Sequence, residues 1–175
     1  MKNDNFTSFP ILTTKRLTLR QLLVDDQDDI LSLRSDKDIN KYLNRPPSNT
    51  IEDAINFIYQ INENINLNHS HYWAITLTAT QTFVGTICLF NFAHAESSCE
   101  IGYELIKKFQ GQGIMKEAAQ AVIDYVFQTL KIKQIVAFTH SDNQNSTKLL
   151  QSLNFKKSAT TSQENTNLDC FIFTA

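Results

Sequence analysis

Apolar and polar residues alternate along RLTLRQL, with Leu17 and Leu19 set against Arg16, Thr18 and Arg20; this is the period of a half-buried strand. DDQDDILSLRSDKDINKYL predicts one helix, with carboxylates at its start where the macrodipole favours them. Arg45-Pro46-Pro47-Ser48 stops it. The next helix is better marked. Thr50 and Asp53 form a capping-box start, and Ile51, Ala54, Ile55, Ile58, Ile61 and Ile65 follow at helical spacing, ending near Asn66.

HYWAITLTA, TFVGTICLF and SSCEIGYELI are rich in β-branched and aromatic residues and predict consecutive antiparallel strands. The pattern then changes. GIMKEAAQAVIDYVFQTL places Met115, Ala118, Ala119, Val122, Val126 and Leu130 on one helical face, and KQIVAFTH reads as a short buried strand. Strand, helix and strand at this length make a βαβ unit, so the strands around Ile101 and Val136 are predicted to be parallel neighbours joined by a right-handed crossover. A helix from Gln144 to Leu153 and a strand at CFIFTA close an α+β, or mixed α/β, fold.

The length of 175 residues fits one domain over residues 1–175, with no repeat or linker to divide it. A formal net charge of −2 gives no electrostatic reason for a nucleic-acid partner. Three cysteines, Cys88, Cys99 and Cys170, are an odd and widely spaced set that suits reduced thiols and a cytoplasmic setting. No membrane anchor is expected, since no apolar run approaches about 18 residues. His69 and His71 have no carboxylate or thiol at ligand spacing, so no metal is expected either.

Only four glycines occur, yet Gly111 and Gly113 share one short loop ahead of a helix. A glycine-rich approach lets an anion reach the unpaired amides of a helix's first turn, and Lys107, Lys108 and Lys116 add positive charge around it. The loop is not a P-loop, because Ile114 and Met115 stand where Lys and Ser or Thr are needed. Nor is it a dinucleotide fingerprint, since Lys116 occupies the third small position and the preceding strands are antiparallel. Two readings stay open: a tight strand-to-helix turn, or a site for a diphosphate held by backbone amides without metal.

QGQGIM resembles the pyrophosphate loop of the GCN5-related N-acetyltransferases (GNAT), a Gln or Arg followed by x-x-Gly-x-Gly/Ala. TTKRLTLRQL, CEIGYELIKKFQGQGIMKEA and DNQNSTKLLQSLNF fall in the order and spacing of the branch that acetylates ribosomal-protein N-termini. The resemblance implies a twisted mixed sheet of about seven strands, helices on both faces, and a splay between two strands that takes the pantetheine arm of acetyl-CoA. It further implies that Gln110, Gly111, Gln112, Gly113, Ile114, Met115 and Lys116 wrap the diphosphate. Asn143 and main-chain groups at Leu105 and Ile106 would contact the pantetheine or the oxyanion. Dimers or larger rings are common in such relatives. The acceptor cleft would come from the first two helices and the loop TTSQENTNLD.

Three departures stand out. Met115 replaces the last Gly/Ala of the loop, so its Cβ must point away from the phosphates. Asn154 replaces a helix-ending glycine, which suits a left-handed C-cap. Leu150 stands where many relatives carry a tyrosine associated with protonating the coenzyme thiolate.

Amine acetylation needs a neutral nucleophile, a stabilised oxyanion and a protonated leaving thiolate. An α-amine with pKa about 7.7 to 8.0 is partly neutral at pH 7, whereas a lysine-like amine near about 10.4 is almost wholly charged. By family position Glu100 is the candidate base, directly or through water, with Cys99 and Ile101 as apolar neighbours; the alternative is a solvent-facing strand-edge glutamate. Ser146 is the candidate proton donor, against the alternative that it only satisfies amides where its helix begins. The expected activity is transfer of acetyl to a protein N-terminal α-amine. A polyamine or small-amine acetyltransferase is the second reading, and a non-catalytic acyl-CoA-binding module the third.

Overall fold

The computed structural model describes residues 8–159 and 167–175. Its sheet has eight strands in the order β1-β2-β3-β4-β5-β6-β8-β7. They are β1 (Leu12–Thr13), β2 (Leu17–Gln21), β3 (His71–Leu77), β4 (Phe83–Ala93), β5 (Ser98–Leu105), β6 (Gln134–His140), β7 (Lys156–Lys157) and β8 (Leu168–Thr174). The helices are α1 (Gln27–Ser35), α2 (Lys37–Asn40), α3 (Ile51–Asn66), α4 (Ile114–Tyr125) and α5 (Gln144–Ser152). The count exceeds the expected seven because β1 and β7 have two residues each, too few to show a period.

All pairings are antiparallel except β5 with β6, joined through α4 as a βαβ unit. The main core lies between the sheet and α4, where Trp73, Ile75, Ile87, Ala118, Val122 and Phe171 are fully buried. On the opposite face α1 and α3 cover a smaller core of Leu22, Ile30, Ala54, Ile58 and Ala74. Thr50 accepts from the Asp53 amide while Asp53 accepts from the Thr50 amide, the reciprocal cap read from the sequence.

The single helix expected before Arg45 is broken at Asp36. This residue is extended (φ −67°, ψ 121°), and its carboxylate accepts from the Asp38 and Ile39 amides, starting α2. Short polar side chains compete with helical hydrogen bonds in this way. Nor do all the acidic residues ahead of α1 serve the helix dipole. Asp26 is buried, pairs both oxygens with Arg20 at 2.7 and 2.8 Å, and accepts from the Leu23 amide.

One break in the sheet builds the site. Strands β5 and β6 pair only at Ser98↔Gln134, Cys99↔Ile135 and Glu100↔Val136. Beyond Glu100, β5 stays on β4 as far as Leu105↔Gly85 and β6 stays on β8 as far as His140↔Leu168, so the two halves of the sheet diverge. The Ile106 amide donates to Val84 O at 2.9 Å on the β4 side. Alternation therefore turns the main-chain groups of Tyr103 and Leu105 towards the gap.

Candidate active site

The loop between β5 and α4 is shaped by two left-handed residues, Gly111 at φ 73° and Gly113 at φ 74°. Gly113 is the N-cap of α4 and offers no side chain to satisfy the first-turn amides. A Cβ on Gly111 would meet no atom of the described residues within 4 Å, and Gly111 borders the cavity beside the loop. Gln110 donates to Leu105 O at 3.0 Å and Gln112 to Lys108 O at 2.9 Å, folding the loop back on its own approach.

A brace stands behind the loop. Glu117 in the first turn of α4 accepts from Thr14 Oγ1 (2.6 Å), Arg16 N (2.9 Å) and Arg16 Nε (2.7 Å). Burial opposes the charge on Glu117, but the bonds from Thr14 and Arg16 prevail and hold its carboxyl below the ordinary value. Arg16 Nη1 also donates to Gln112 O at 3.1 Å, tying the turn ahead of β2 to the glycine loop.

Beside the loop lies a cavity of about 810 Å³, within the range of small-molecule sites. It continues the β5–β6 divergence from Asp38 and Tyr42 to the start of α5. Of the residues singled out from the sequence, Leu105, Gln110, Gly111, Gly113, Ile114, Met115, Lys116, Asn143 and Ser146 line it. Ile106, Gln112 and Glu100 are not part of this wall. Ile106 packs against the smaller core with its amide tied to β4, and Gln112 faces Arg16 and Lys108. Met115, the residue that departs from the loop pattern, is buried in the main core and also borders the cavity.

Glu100 lies at the last paired rung of β5 and β6, opposite Phe90 and Val136, and accepts from Asn91 Nδ2 at 3.1 Å. Its sequence neighbours do not enclose it as expected. Cys99 and Ile101 belong to the main core on the α4 side, and the pleat sends Glu100 to the other face. The acceptor loop TTSQENTNLD lies outside the described residues over 160–166.

Ser146 has a different partner from the one the helix-start alternative supposes. Asn143 Oδ1 accepts from the Ser146 amide at 3.2 Å and so caps α5, while Ser146 Oγ shares a 2.9 Å hydrogen bond with the Tyr103 hydroxyl. Burial, offset in part by that bond, pushes the Tyr103 phenol up to about 12. Tyr103 and Glu104 were not singled out from the sequence, although the alternation of Ile101, Tyr103 and Leu105 marks Tyr103 as facing α4 and α5. Glu104 forms a largely buried ion pair with Arg45 on the other face.

A family model for the acetyltransferase (GNAT) domain matches residues 16–156. The chain belongs to the GNAT acetyltransferase family. The N-acetyltransferase p20 of Bacillus licheniformis, itself uncharacterized, is 36% identical over 147 residues, 83% of this chain and 82% of its own. The [ribosomal protein uS5]-alanine N-acetyltransferase of Escherichia coli is 40% identical over 60 residues, 34% of this chain and 31% of its own. In fold, the acetyltransferase superposes on a putative ribosomal-protein-serine acetyltransferase from Vibrio cholerae with a TM-score of 0.81 at 19% identity, covering 95% of this chain and 98% of that one. A spermidine N-acetyltransferase from Vibrio cholerae, held with CoA and spermine, gives 0.79 at 18% identity, covering 92% and 96%.

This GNAT enzyme is thus an N-acetyltransferase that uses acetyl-CoA, and the site residues fit that co-substrate. The glycine-bounded loop opens onto unpaired helix amides, lysines 107 and 116 line the same cavity, and the sheet is parted where an extended arm must run. Among the described residues no group of three His, Cys, Asp or Glu side chains could hold a metal ion, and no helix is long and apolar enough to cross a membrane.

Proposed function

We propose that this acetyltransferase acts on protein N-terminal α-amines of the ribosomal-protein type, in the cytoplasm, where three free thiols remain reduced. The observation that carries the reading is the pair of polar groups flanking the β5–β6 divergence on opposite faces. Glu100 stands at its apex on one side, and Ser146 with Tyr103 stands in the cavity on the other.

In this reading Glu100 takes the proton from the acceptor nitrogen, directly or through water, and Ser146 directs its hydroxyl at the leaving sulfur. Gln110 to Lys116 hold the diphosphate, Asn143 contributes its Nδ2 end to the pantetheine arm while Oδ1 caps α5, and the main chain at Leu105 faces the same arm. An α-amine is partly neutral at pH 7 and needs less help from a base than a polyamine, whose amines have a higher pKa. The segment shared with the uS5-alanine enzyme supports the same choice. The spermidine enzyme among the structural neighbours keeps small amines as the second reading.

Thiol release from acetyl-CoA, followed against peptides starting with Ala or Ser and against spermidine and aminoglycosides, tests this. Turnover is expected with the peptides, with Glu100→Gln slowing it about a hundredfold. Preference for spermidine with silent peptides would replace the acceptor class, and an unaltered rate in Glu100→Gln would remove the assigned base.

A further inference from the structure

A leaving thiolate held away from water is costly, because burial disfavours the charged form of a thiol. Something in the wall has to meet that charge. The position where many relatives carry a tyrosine holds Leu150, which is buried in the core and has no hydroxyl to offer. Four hydroxyl side chains line the cavity: Tyr42, Tyr103, Ser146 and Ser152. Ser152 donates to Leu149 O at 2.8 Å within its own helix, and the Tyr42 ring packs on His140. Tyr103 and Ser146 remain, joined to each other at 2.9 Å from opposite sides of the divergence.

We infer that Tyr103 is a positioning residue for the acetyl-transfer step, holding the Ser146 hydroxyl so that its proton points at the coenzyme sulfur. The inference rests on the reading of Ser146 given above. A single hydrogen bond between two hydroxyls contains one proton, and the phenol, the stronger acid, is the better donor. With the Tyr103 proton in the bond, the Ser146 proton is left to turn elsewhere. Its amide is already committed to Asn143, which fixes the start of α5 and hence the Cβ from which the hydroxyl swings. Two linked hydroxyls also polarise one another, strengthening the bond to a developing negative charge.

The step balances as follows. The C–S bond of the tetrahedral adduct breaks with its electron pair on sulfur, and the Tyr103–Ser146 chain stabilises that pair by hydrogen bonding. The acceptor nitrogen releases one proton as the amide forms, and this proton, passed through Glu100 or water, converts thiolate to thiol. Neither hydroxyl is consumed.

A double-mutant cycle tests this. Ser146→Ala is expected to lower kcat about thirtyfold, and Tyr103→Phe about tenfold with KM for acetyl-CoA within about twofold. Tyr103→Phe added to Ser146→Ala is expected to change nothing further, because its effect runs through the missing hydroxyl. A merely structural role for Tyr103 would instead multiply the two losses and overturn the inference, as would a Tyr103→Phe enzyme at wild-type rate. Ser146→Ala at full rate would defeat the prior reading of Ser146, a separate outcome. Phe keeps the ring in the wall, and a melting curve on each variant verifies folding; Ser146→Thr, which keeps a hydroxyl, should hold the rate within about threefold and remain sensitive to Tyr103→Phe.

Discussion

Arg16 Nε lies 2.7 Å from Glu117 Oε2, across 101 positions of sequence, and the same guanidinium reaches Gln112 O in the glycine loop. The turn between β1 and β2 thereby braces the glycine loop from behind. Arg16→Ala is expected to raise KM for acetyl-CoA about tenfold, the value of one charge-assisted hydrogen bond, with kcat changed less than about twofold. Arg16→Lys should recover little, because an ammonium cannot serve Glu117 and Gln112 as a fork does. Initial rates at varied acetyl-CoA check both.

Gly111 separates binding from stability. Its left-handed backbone costs any other residue about 1–2 kcal/mol, yet an added Cβ would meet only open space. Gly111→Ala is therefore expected to fold with a modest loss in urea titration, while coenzyme A binding by calorimetry weakens more than about tenfold, since the residue borders the cavity and a methyl restricts the loop's left-handed backbone. Equal losses in both measurements would place the loop's role in folding alone.

The Arg45–Glu104 pair ties the segment before α3 to β5, with side chains only 18% and 12% exposed. Arg45 Nη2 and Glu104 Oε2 have no hydrogen-bond partner among the described residues, so the pair is sensitive to loss of either side. Arg45→Met is expected to destabilise the enzyme by about 3 kcal/mol through the uncompensated carboxylate it leaves. Arg45→Met with Glu104→Leu should recover most of that, as measured by urea unfolding of the three variants.

His71 contributes a pH dependence of stability. Burial among Phe9, Trp73, Phe92 and Tyr125 lowers its pKa below the ordinary imidazole value, and its Nδ1 has no partner among the described residues. The unfolded chain therefore binds this proton at higher pH than the folded one does. The contribution is complete above the unfolded imidazole pKa of about 6.5 and is lost as pH falls below it. Melting temperature should drop between about pH 7 and pH 5, and His71→Phe should flatten that part of the curve.

Much of this architecture is written in short stretches of chain. The Thr50–Asp53 cap, the faces of α3 and α4, and the left-handed Asn154 (φ 68°) after α5 all depend on residues within a turn or two of each other. The two glycines are equally local, since a positive φ is the property of one residue. Asp36 is the instructive exception: its side chain competes with a helix that the pattern of carboxylates alone makes continuous.

What the sequence by itself determined was most of the longer elements, their buried faces, the βαβ connection and the glycine loop, because periodicity and capping are set by residues close together in the chain. Only the tertiary structure decided where β5 leaves β6, that Arg16 braces the loop through Glu117, and that Tyr103 rather than a helix amide meets Ser146 Oγ. Those relationships join residues 36 to 101 positions apart, and their partners are chosen by how the packed sheet and helices fit together, a constraint no local window contains.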